Sequence, residues 1–383
     1  MKYIFRKKIN IFFVSIFDAA GYFFKSLAGK KKNLRKPDFK TVLVVRLDHL
    51  GDVLSATSLP KILKENFAGC RVLFLTSSLG AELLSNNPFV DRVLVYDAPW
   101  FFRRRHKKNR AGLSFFSLVS ELKKSGVDLA LGLRGDLREN ILFFLAGIDN
   151  RWSYGVTGGG FLLTKELIYR KLAHESERLK ELLRELGIKM EELTPQIYLS
   201  DEETGAFKSR MPELGLSALE KYVGVQIDAG TPAKEWPFEH EKLFLNEFVK
   251  RFPSRKIVLI GSNKDRATVL WDGKREIVNL AGKITIRELC ILMRYLDFFV
   301  GFDSGPSHIA AALGVPTLFL YSGTNRFEQW KPVMENSLVL RHPVPCSPCH
   351  LEVCNVKGHP CMAQIKPEEA IRALEQFLGD GVR

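Results

Sequence analysis

The sequence contains no apolar run of about 18 or more residues without a charge, which excludes a polytopic membrane protein. It also lacks a helix-turn-helix pattern, an RNA-binding motif with interleaved aromatic residues, and an Asp-x-Asp metal motif in a suitable loop. Acidic residues are scarce, since 43 Asp and Glu stand against 57 Lys and Arg and leave a net charge of +14. With 46% hydrophobic residues over 383 positions, the composition indicates a globular protein of one large or two ordinary domains that meets an anionic partner.

Most of the excess charge lies in residues 1–37. This segment holds ten Lys and Arg but a single acidic residue, Asp18, and it contributes +9 of the +14. Residues 9–24, between the basic clusters, are rich in Phe and Ile. A helix here brings four polar residues to one face: Lys8, Ser15, Asp18 and Lys25. This pattern is typical of a helix that lies in a membrane interface with basic flanks on anionic headgroups.

Two other interpretations of residues 1–37 stay open. One is a signal peptide cleaved near residues 26–28, although Asp18 interrupts its apolar part. The other is a terminal helix docked on a globular body. A second basic run at residues 103–110 is either a solvated loop or a second contact with headgroups or an anionic lipid substrate, and we expect no nucleic-acid partner.

After residue 37 the chain alternates buried-strand runs with helical runs, which predicts α/β architecture with parallel sheets. The alternation pauses in an acidic, polar stretch and then begins again. We therefore expect an N-terminal domain at residues 38–205, a linker at residues 206–220 and a C-terminal domain at residues 221–383.

Three loops that follow strands are candidate binding sites, because ligands of open α/β sheets bind beyond the carboxyl ends of the strands. The loop at residues 46–52 opens a helix, and Asp52 either projects toward a ligand or caps that helix. The loop at residues 228–237 combines Gly with a Lys and can hold a phosphate. The loop at residues 301–308 is an Asp-Ser-Gly turn whose following helix start suits a pyrophosphate, the alternative being a turn with a capping Ser.

In this order and spacing, the loops resemble glycosyltransferase family 9, the ADP-heptose:lipopolysaccharide heptosyltransferases of the Gram-negative inner core. The resemblance covers residues 41 to about 375. Its matching stretches are VLVVRLDHLGDVLSATSLPKILK, AGTPAKEWPFEHEKLF, IVLIGSNKD and LAGKITIRELCILMRYLDFFVGFDSGPSHIAAALGVPTLFLYSGT. It implies a GT-B fold of two facing Rossmann-like, doubly wound domains with a cleft between them. It also implies an inverting transfer that needs no cofactor, with the donor, ADP-heptose in this family, on the C-terminal domain and a lipid-anchored glycan acceptor on the N-terminal one.

The resemblance assigns roles position by position. Asp52 matches the proposed general base, which takes the proton of the acceptor hydroxyl. Lys234 matches the lysine that neutralises the departing diphosphate. The other donor-side matches are Asp303, Ser304, Gly305, His308 and, more loosely, Asp265 for the ribose. On the acceptor side we expect Asp48, Gly51, Arg134 and Asp136, with salt bridging at the sheet edge an equal alternative for the last two. The family further implies a cytoplasmic protein, peripheral on the inner face of the inner membrane.

The cysteines fall into two groups. Cys70 and Cys290 are expected to be buried in the core. A Cys-rich loop near the C-terminus, also found in one branch of the family, has the spacing C-x2-C-x4-C-x6-C: Cys346, Cys349, Cys354 and Cys361. These four can hold structural zinc, or they can be reduced thiols or a local disulfide pair.

Two further functional hypotheses compete with a glycosyltransferase. A nucleotide-sugar epimerase on the same fold would need more acid and base groups than these loops supply. A non-catalytic basic protein that binds membranes or nucleic acid would depend on residues 1–37 rather than on the loops.

Overall fold

The computed structural model describes residues 3–4, 8–27, 39–101, 113–171 and 173–378. It divides the chain into two compact units, Met1–Pro195 and Gln196–Arg383. Each unit is built on one six-stranded sheet in which all paired strands are parallel. No helix within the described ranges has the length and apolar character needed to cross a membrane.

Unit 1 has the strand order β3-β2-β1-β4-β5-β6. Its strands are β1 (Thr41–Arg46), β2 (Arg71–Thr76), β3 (Arg92–Val95), β4 (Leu129–Gly132), β5 (Asn150–Ser153) and β6 (Lys165–Glu166). Its helices are α1 (Lys8–Leu27), α2 (Leu50–Ser55), α3 (Leu59–Asn66), α4 (Ser78–Leu84), α5 (Phe115–Lys124), α6 (Leu137–Leu145) and α7 (Glu175–Glu185). A short 3-10 helix spans Gly160–Leu162.

The central strand of unit 1 explains where its polar loop lies. All six residues of β1, TVLVVR, are buried, because helices cover both faces of a parallel sheet. The strand pairs with β2 on one side and β4 on the other, so the loops after β1 and β4 leave the same edge of the sheet. The polar residues that follow these two strands are thereby brought together.

Unit 2 has the strand order β12-β11-β10-β7-β8-β9. Its strands are β7 (Tyr222–Gln226), β8 (Lys256–Ile260), β9 (Ile277–Asn279), β10 (Leu296–Phe302), β11 (Thr317–Leu320) and β12 (Ser337–Leu340). Its helices are α8 (Asp201–Arg210), α9 (Phe238–Arg251), α10 (Lys264–Trp271), α11 (Ile286–Leu292), α12 (Gly305–Ala312), α13 (Phe327–Trp330), α14 (Pro360–Ala363) and α15 (Pro367–Leu378). Two 3-10 helices span Pro232–Lys234 and Met293–Tyr295.

The division between the units falls after Pro195 rather than after residue 205, and the stretch expected to be a linker belongs to unit 2. The reason is local. Ser200 and Glu203 form a capping box that starts α8, and Phe207 on that helix is buried. Arg287 Nη2 of α11 lies 2.7 Å from Glu203 Oε2 and fixes the helix to unit 2.

The N-terminal segment is not separate from the N-terminal domain either. Helix α1 belongs to unit 1 and contacts the Gly160–Leu162 turn. Residues 8–27 thus lie against unit 1 in the structure. The basic run at 103–110 lies outside the described residues.

Candidate active site

A buried arginine organises the loop after β1. Arg46 ends this strand, and its guanidinium makes three ion pairs with carboxylates. Its Nε lies 2.7 Å from Asp48 Oδ1, its Nη2 lies 2.5 Å from Asp52 Oδ1, and its Nη1 lies 2.8 Å from Glu175 Oε1. All four side chains are nearly inaccessible to solvent, so each charge depends on the others for compensation.

The mutual compensation keeps Asp48 and Arg46 ionised. Burial works against the charge of Asp48, but the guanidinium groups of Arg46 and Arg134 outweigh it and hold the pKa of Asp48 below its ordinary value. Burial likewise disfavours the charged guanidinium, while Asp48 and Asp52 overcome this and raise the pKa of Arg46. Asp48 and Arg46 are therefore both charged at neutral pH.

Asp52 is held by Arg46 and does not cap its helix. Helix α2 has His49 at its N-cap with no side-chain cap bond, and Asp52 lies in the first turn with its Oδ1 on Arg46. The capping alternative is thus wrong for this residue. Gly51 occupies the turn just before Asp52 in the same helix.

Arg134 joins the same cluster from the neighbouring strand. It follows β4, and its Nη1 donates a 2.7 Å hydrogen bond to Asp48 Oδ2. Its guanidinium stacks over the Phe101 ring at 4.4 Å from the ring centre, which fixes its direction. Arg134 therefore lies at the site, as a salt bridge to Asp48.

Asp136 makes a helix cap and a local ion pair, contacts of the kind that the salt-bridge alternative predicted. It is the N-cap of α6 and accepts a 2.9 Å hydrogen bond from the Arg138 backbone N–H. Its carboxylate also accepts a 2.7 Å bond from Arg138 Nε. These contacts show a helix cap with a local ion pair, and they satisfy the carboxylate without any ligand.

Glu175 is a member of the cluster that sequence reasoning missed. It begins α7, is fully buried, and pairs with both Arg46 and Arg178. It lies 129 residues after Arg46 in the chain and follows no strand-end motif. An acidic first turn was the only local signal, and such turns are common at helix starts.

In unit 2, Lys234 and Asp303 form the centre of the second polar group. Lys234 ends the Pro232–Lys234 turn, and Asp303 directly follows β10. The Lys234 ammonium donates to the Asp303 carbonyl at 2.6 Å and to Asp303 Oδ2 at 2.9 Å. The turn and the strand are 69 residues apart in sequence but adjacent in the sheet because β7 pairs with β10.

Asp303 collects further partners around its carboxylate. Asn325 Nδ2 donates to Oδ2 at 2.8 Å, and His308 Nε2 lies 3.4 Å from Oδ1. Burial opposes its ionisation, but the nearby Lys234 ammonium and the His308 contact hold the pKa of Asp303 well below its ordinary value. Asp303 is consequently an anion that positions one lysine at the start of α12.

Gln226 is a second residue that the sequence did not reveal. It ends β7, and its side-chain oxygen accepts hydrogen bonds from Ser304 Oγ at 2.9 Å and from Ser307 Oγ at 3.4 Å. Its Nε2 donates to the Asp228 carbonyl at 2.6 Å. Ser304 is the N-cap of α12 but makes no side-chain cap bond, so its hydroxyl orders the turn through Gln226 instead. Gly305 is the first residue of that helix.

Asp265 lies one strand further along the same sheet edge. It is exposed in the first turn of α10, after β8. The loop that leads to it is held by Asp228, whose carboxylate accepts hydrogen bonds from Ser262 N at 2.8 Å and Asn263 N at 2.5 Å. This position leaves the Asp265 carboxylate open to a ligand at the edge.

The four clustered cysteines line one small cavity together with His359, Ala233 and Gly323. Cys346 is exposed at this cavity, whereas Cys361 is buried and burial raises the pKa of its thiol. His359 Nε2 is 3.0 Å from the Ala233 carbonyl. Four thiols are a donor set that zinc accepts, but among the described residues no three Cys, His, Asp or Glu side chains stand in an arrangement that could hold a metal ion.

Each of the two units is a doubly wound sheet of parallel strands with charged residues in its strand-end loops. This architecture is that of the GT-B glycosyltransferase fold. The family model for glycosyltransferase family 9 (heptosyltransferase) matches residues 115–359, and the chain belongs to this family. It is therefore a glycosyltransferase.

Individual proteins agree with this assignment. The lipooligosaccharide heptosyltransferase 2 of Campylobacter jejuni is 23% identical over 338 residues, which cover 86% of this chain and 96% of the relative. Two solved structures share the fold. A family 9 glycosyltransferase from Veillonella parvula superposes with a TM-score of 0.76 at 20% identity, over 91% of this chain and 99% of its own. The ADP-heptose lipopolysaccharide heptosyltransferase II of E. coli has a TM-score of 0.70 at 21% identity, over 88% and 98%.

Proposed function

We propose that this chain transfers a heptose from ADP-heptose to a lipid-linked acceptor of the lipopolysaccharide type, with inversion at the anomeric carbon. The family assignment and the names of the relatives support the sugar and the acceptor class. The observation that carries the chemistry is the buried Arg46 cluster, in which the Arg46 guanidinium orients the Asp52 carboxylate.

The acceptor half of the reaction is assigned to unit 1. Asp52 Oδ1 is occupied by Arg46, and none of the hydrogen bonds among the described residues uses Oδ2. In the proposed step Oδ2 accepts the proton of the acceptor hydroxyl while the hydroxyl oxygen forms a bond to the anomeric carbon. Asp48, Gly51 and Arg134 surround the position of that hydroxyl. Asp136 contributes indirectly, because it caps α6.

The donor half is assigned to unit 2. The bond between the anomeric carbon and the diphosphate oxygen breaks, and the electron pair stays on the diphosphate. The Lys234 ammonium, fixed by Asp303, and the N–H groups at the start of α12 near Ser304 and Gly305 compensate this charge. His308 completes the group, and Asp265 is assigned to the donor ribose. No step uses a metal ion, and structural zinc on the four cysteines stays a separate prediction that metal analysis of the purified chain tests.

The test is an assay of heptose transfer to heptose-deficient lipopolysaccharide, with products read by mass spectrometry. Asp52→Asn should lower kcat about 10²- to 10⁴-fold, because it removes the proton acceptor. ADP binding, measured by calorimetry, should stay unchanged because the donor is assigned to unit 2. The control is Glu65→Gln, an exposed carboxylate on α3. Normal turnover by Asp52→Asn would refute the base assignment, and transfer of a different sugar would refute the donor assignment.

A further inference from the structure

Helix α1 turns its polar side toward the protein. Asp18 is buried, and its Oδ1 accepts a 2.7 Å hydrogen bond from the Gly159 N–H. Its Oδ2 accepts a 2.8 Å bond from the Tyr3 hydroxyl. One turn further along, the Tyr22 hydroxyl donates a hydrogen bond to the Glu166 carboxylate. Two turns along, the Lys25 ammonium donates to the Leu163 carbonyl at 2.6 Å. Polar contacts thus fix the helix to unit 1 along much of its length.

Glycines on both sides allow the close approach of α1 to unit 1. A Cβ on Gly158, whose φ is +100°, would lie 2.7 Å from Val14 Cγ1. A Cβ on Gly160 would lie 2.3 Å from the Tyr22 hydroxyl oxygen, and one on Gly21 would lie 2.3 Å from the Phe161 ring. Side chains at these positions would push the helix away, so the close approach is specific to this sequence.

The apolar side of α1 faces away from the protein. Eight large apolar side chains are each 45% to 69% exposed: Ile9, Phe12, Phe13, Ile16, Phe17, Phe23, Phe24 and Leu27. An amphipathic helix on a water-facing surface buries its apolar side and exposes its polar side. Here the arrangement is reversed, and a continuous apolar surface of this kind marks an interaction site.

Charge distinguishes the candidate partners. Residues 1–37 carry +9, and their only acid, Asp18, is buried against unit 1. The exposed side of α1 therefore holds no carboxylate. A second copy of the chain would bring another +9 segment to the same place, which like-charge repulsion opposes. An anionic lipid surface offers both the apolar phase and the opposite charge.

We propose that α1 lies in the headgroup region of an anionic bilayer with its Phe and Ile side chains in the lipid, and that Asp18 latches unit 1 to it in one fixed orientation. This goes beyond the transfer reaction and does not depend on it. The latch gives the acceptor-binding unit a defined face toward the membrane.

The first test is co-sedimentation of the full chain with phosphatidylcholine vesicles that contain or lack 30% phosphatidylglycerol. The triple variant Phe12→Ser/Phe13→Ser/Ile16→Ser should bind the anionic vesicles on the order of 1,000-fold more weakly, since each of the three buried apolar side chains contributes about a factor of ten. Phe116→Ser on α5 is the matched control, because this side chain is 79% exposed but lies outside α1. It should bind as the unchanged chain does.

Three outcomes would overturn the lipid assignment: tight binding by the triple variant, no preference for anionic vesicles, or equal loss in the control. Sedimentation velocity without vesicles tests the second copy. If the unchanged chain is a dimer and the triple variant is a monomer, a second copy of the chain and not lipid covers the apolar side of α1.

The second test addresses the latch. Asp18→Leu should speed hydrogen exchange in α1 and in residues 155–162 without vesicles, while Asp18→Asn, which keeps the Oδ1 acceptor, should change it less. Asp18→Leu should still bind vesicles. Its turnover on a vesicle-embedded acceptor should fall, while its turnover on a delipidated acceptor should stay unchanged. Unaltered exchange in α1 would show that Asp18 does not latch the helix. The exchange readout is independent of transfer, so it stands even if the proposed reaction fails.

Discussion

The Arg46 guanidinium lies 2.5 Å from the Asp52 carboxylate, and neither group is accessible to more than a tenth of its side-chain surface. The same guanidinium also binds Asp48 and Glu175, so Asp52 is positioned by residues from two separate segments, the loop after β1 and the start of α7. An ionised carboxylate in a fixed direction is what a general base requires. The relationship makes Arg46 the positioning residue of unit 1.

Glu175 should support Asp52 without touching substrate. Glu175→Gln removes one of three negative partners of Arg46 and leaves buried positive charge in excess. We expect the free energy of unfolding to fall by about 2–4 kcal/mol and kcat to fall roughly 10- to 100-fold through misplacement of Asp52. The acceptor KM should change little. Glu177→Gln on the same helix, at a half-exposed position, is the control. Equal effects of both substitutions would argue against a positioning role.

Lys234 should govern donor binding. Lys234→Met removes the ammonium that Asp303 positions, and ADP should bind about 10- to 100-fold more weakly, the range expected for a charge-assisted contact. The loss should shrink at high salt. Lys234→Arg should restore part of the affinity. Exposed Lys242 on α9 provides the comparison, since Lys242→Met should bind ADP normally. Calorimetry with ADP alone measures this without turnover.

Glu139 should make the protein less stable at high pH. Burial, with Asp136 and Asp48 nearby, raises the pKa of Glu139 to about 8 from an ordinary value of 4.5. The folded state then holds a proton that the unfolded state has lost, so stability falls as pH rises from about 4.5 to 8. Glu139→Gln should flatten this slope, and the difference between the pH extremes is about 5 kcal/mol.

Denaturant titrations at several pH values measure the slope. Burial also raises the pKa of Glu241 to about 8, so part of the slope should remain in Glu139→Gln. The double variant with Glu241→Gln should remove most of the rest. A slope that neither substitution alters would mean that both carboxyl groups are ionised in the folded protein.

The glycine surface under α1 should tolerate no side chain. Gly158→Val combines an unfavourable φ with a contact on Val14, and it should detach the helix while leaving the sheet of unit 1 intact. Limited proteolysis should then cut within residues 8–27, and the far-ultraviolet circular dichroism should change only slightly. Gly147→Val is the control, because its φ is also positive but no atom lies within 4 Å of the added Cβ. Cleavage of both variants alike would attribute the effect to backbone strain.

Much of the fold was predictable because its strands are buried on both faces and appear as continuous apolar runs. The segments that became β1, β2, β7 and β11 are of this kind. Asp52, Lys234 and Asp303 were predictable because they directly follow such strands or their loops. Short polar strands such as β5 and β6 gave no comparable pattern.

The remaining site residues depend on contacts between distant segments. Glu175 reaches Arg46, and Gln226 reaches Ser304, only once the sheets have formed. Helix periodicity showed that α1 has two unlike sides, but it cannot say which side meets the protein. The glycines at 158–160 mark the surface that α1 contacts, but this can be recognised only when the helix is seen packed against them.

During synthesis, helix α1 is made well before the part of unit 1 that it contacts. Asp18 precedes Gly159 by 141 residues. At about 5–20 residues per second the ribosome needs on the order of ten seconds to make the intervening chain. For that time the Phe-rich helix and its basic flanks have no protein surface to meet. The bilayer is then available to α1 before unit 1 exists, so the rest of this unit would fold onto a helix that already lies in lipid.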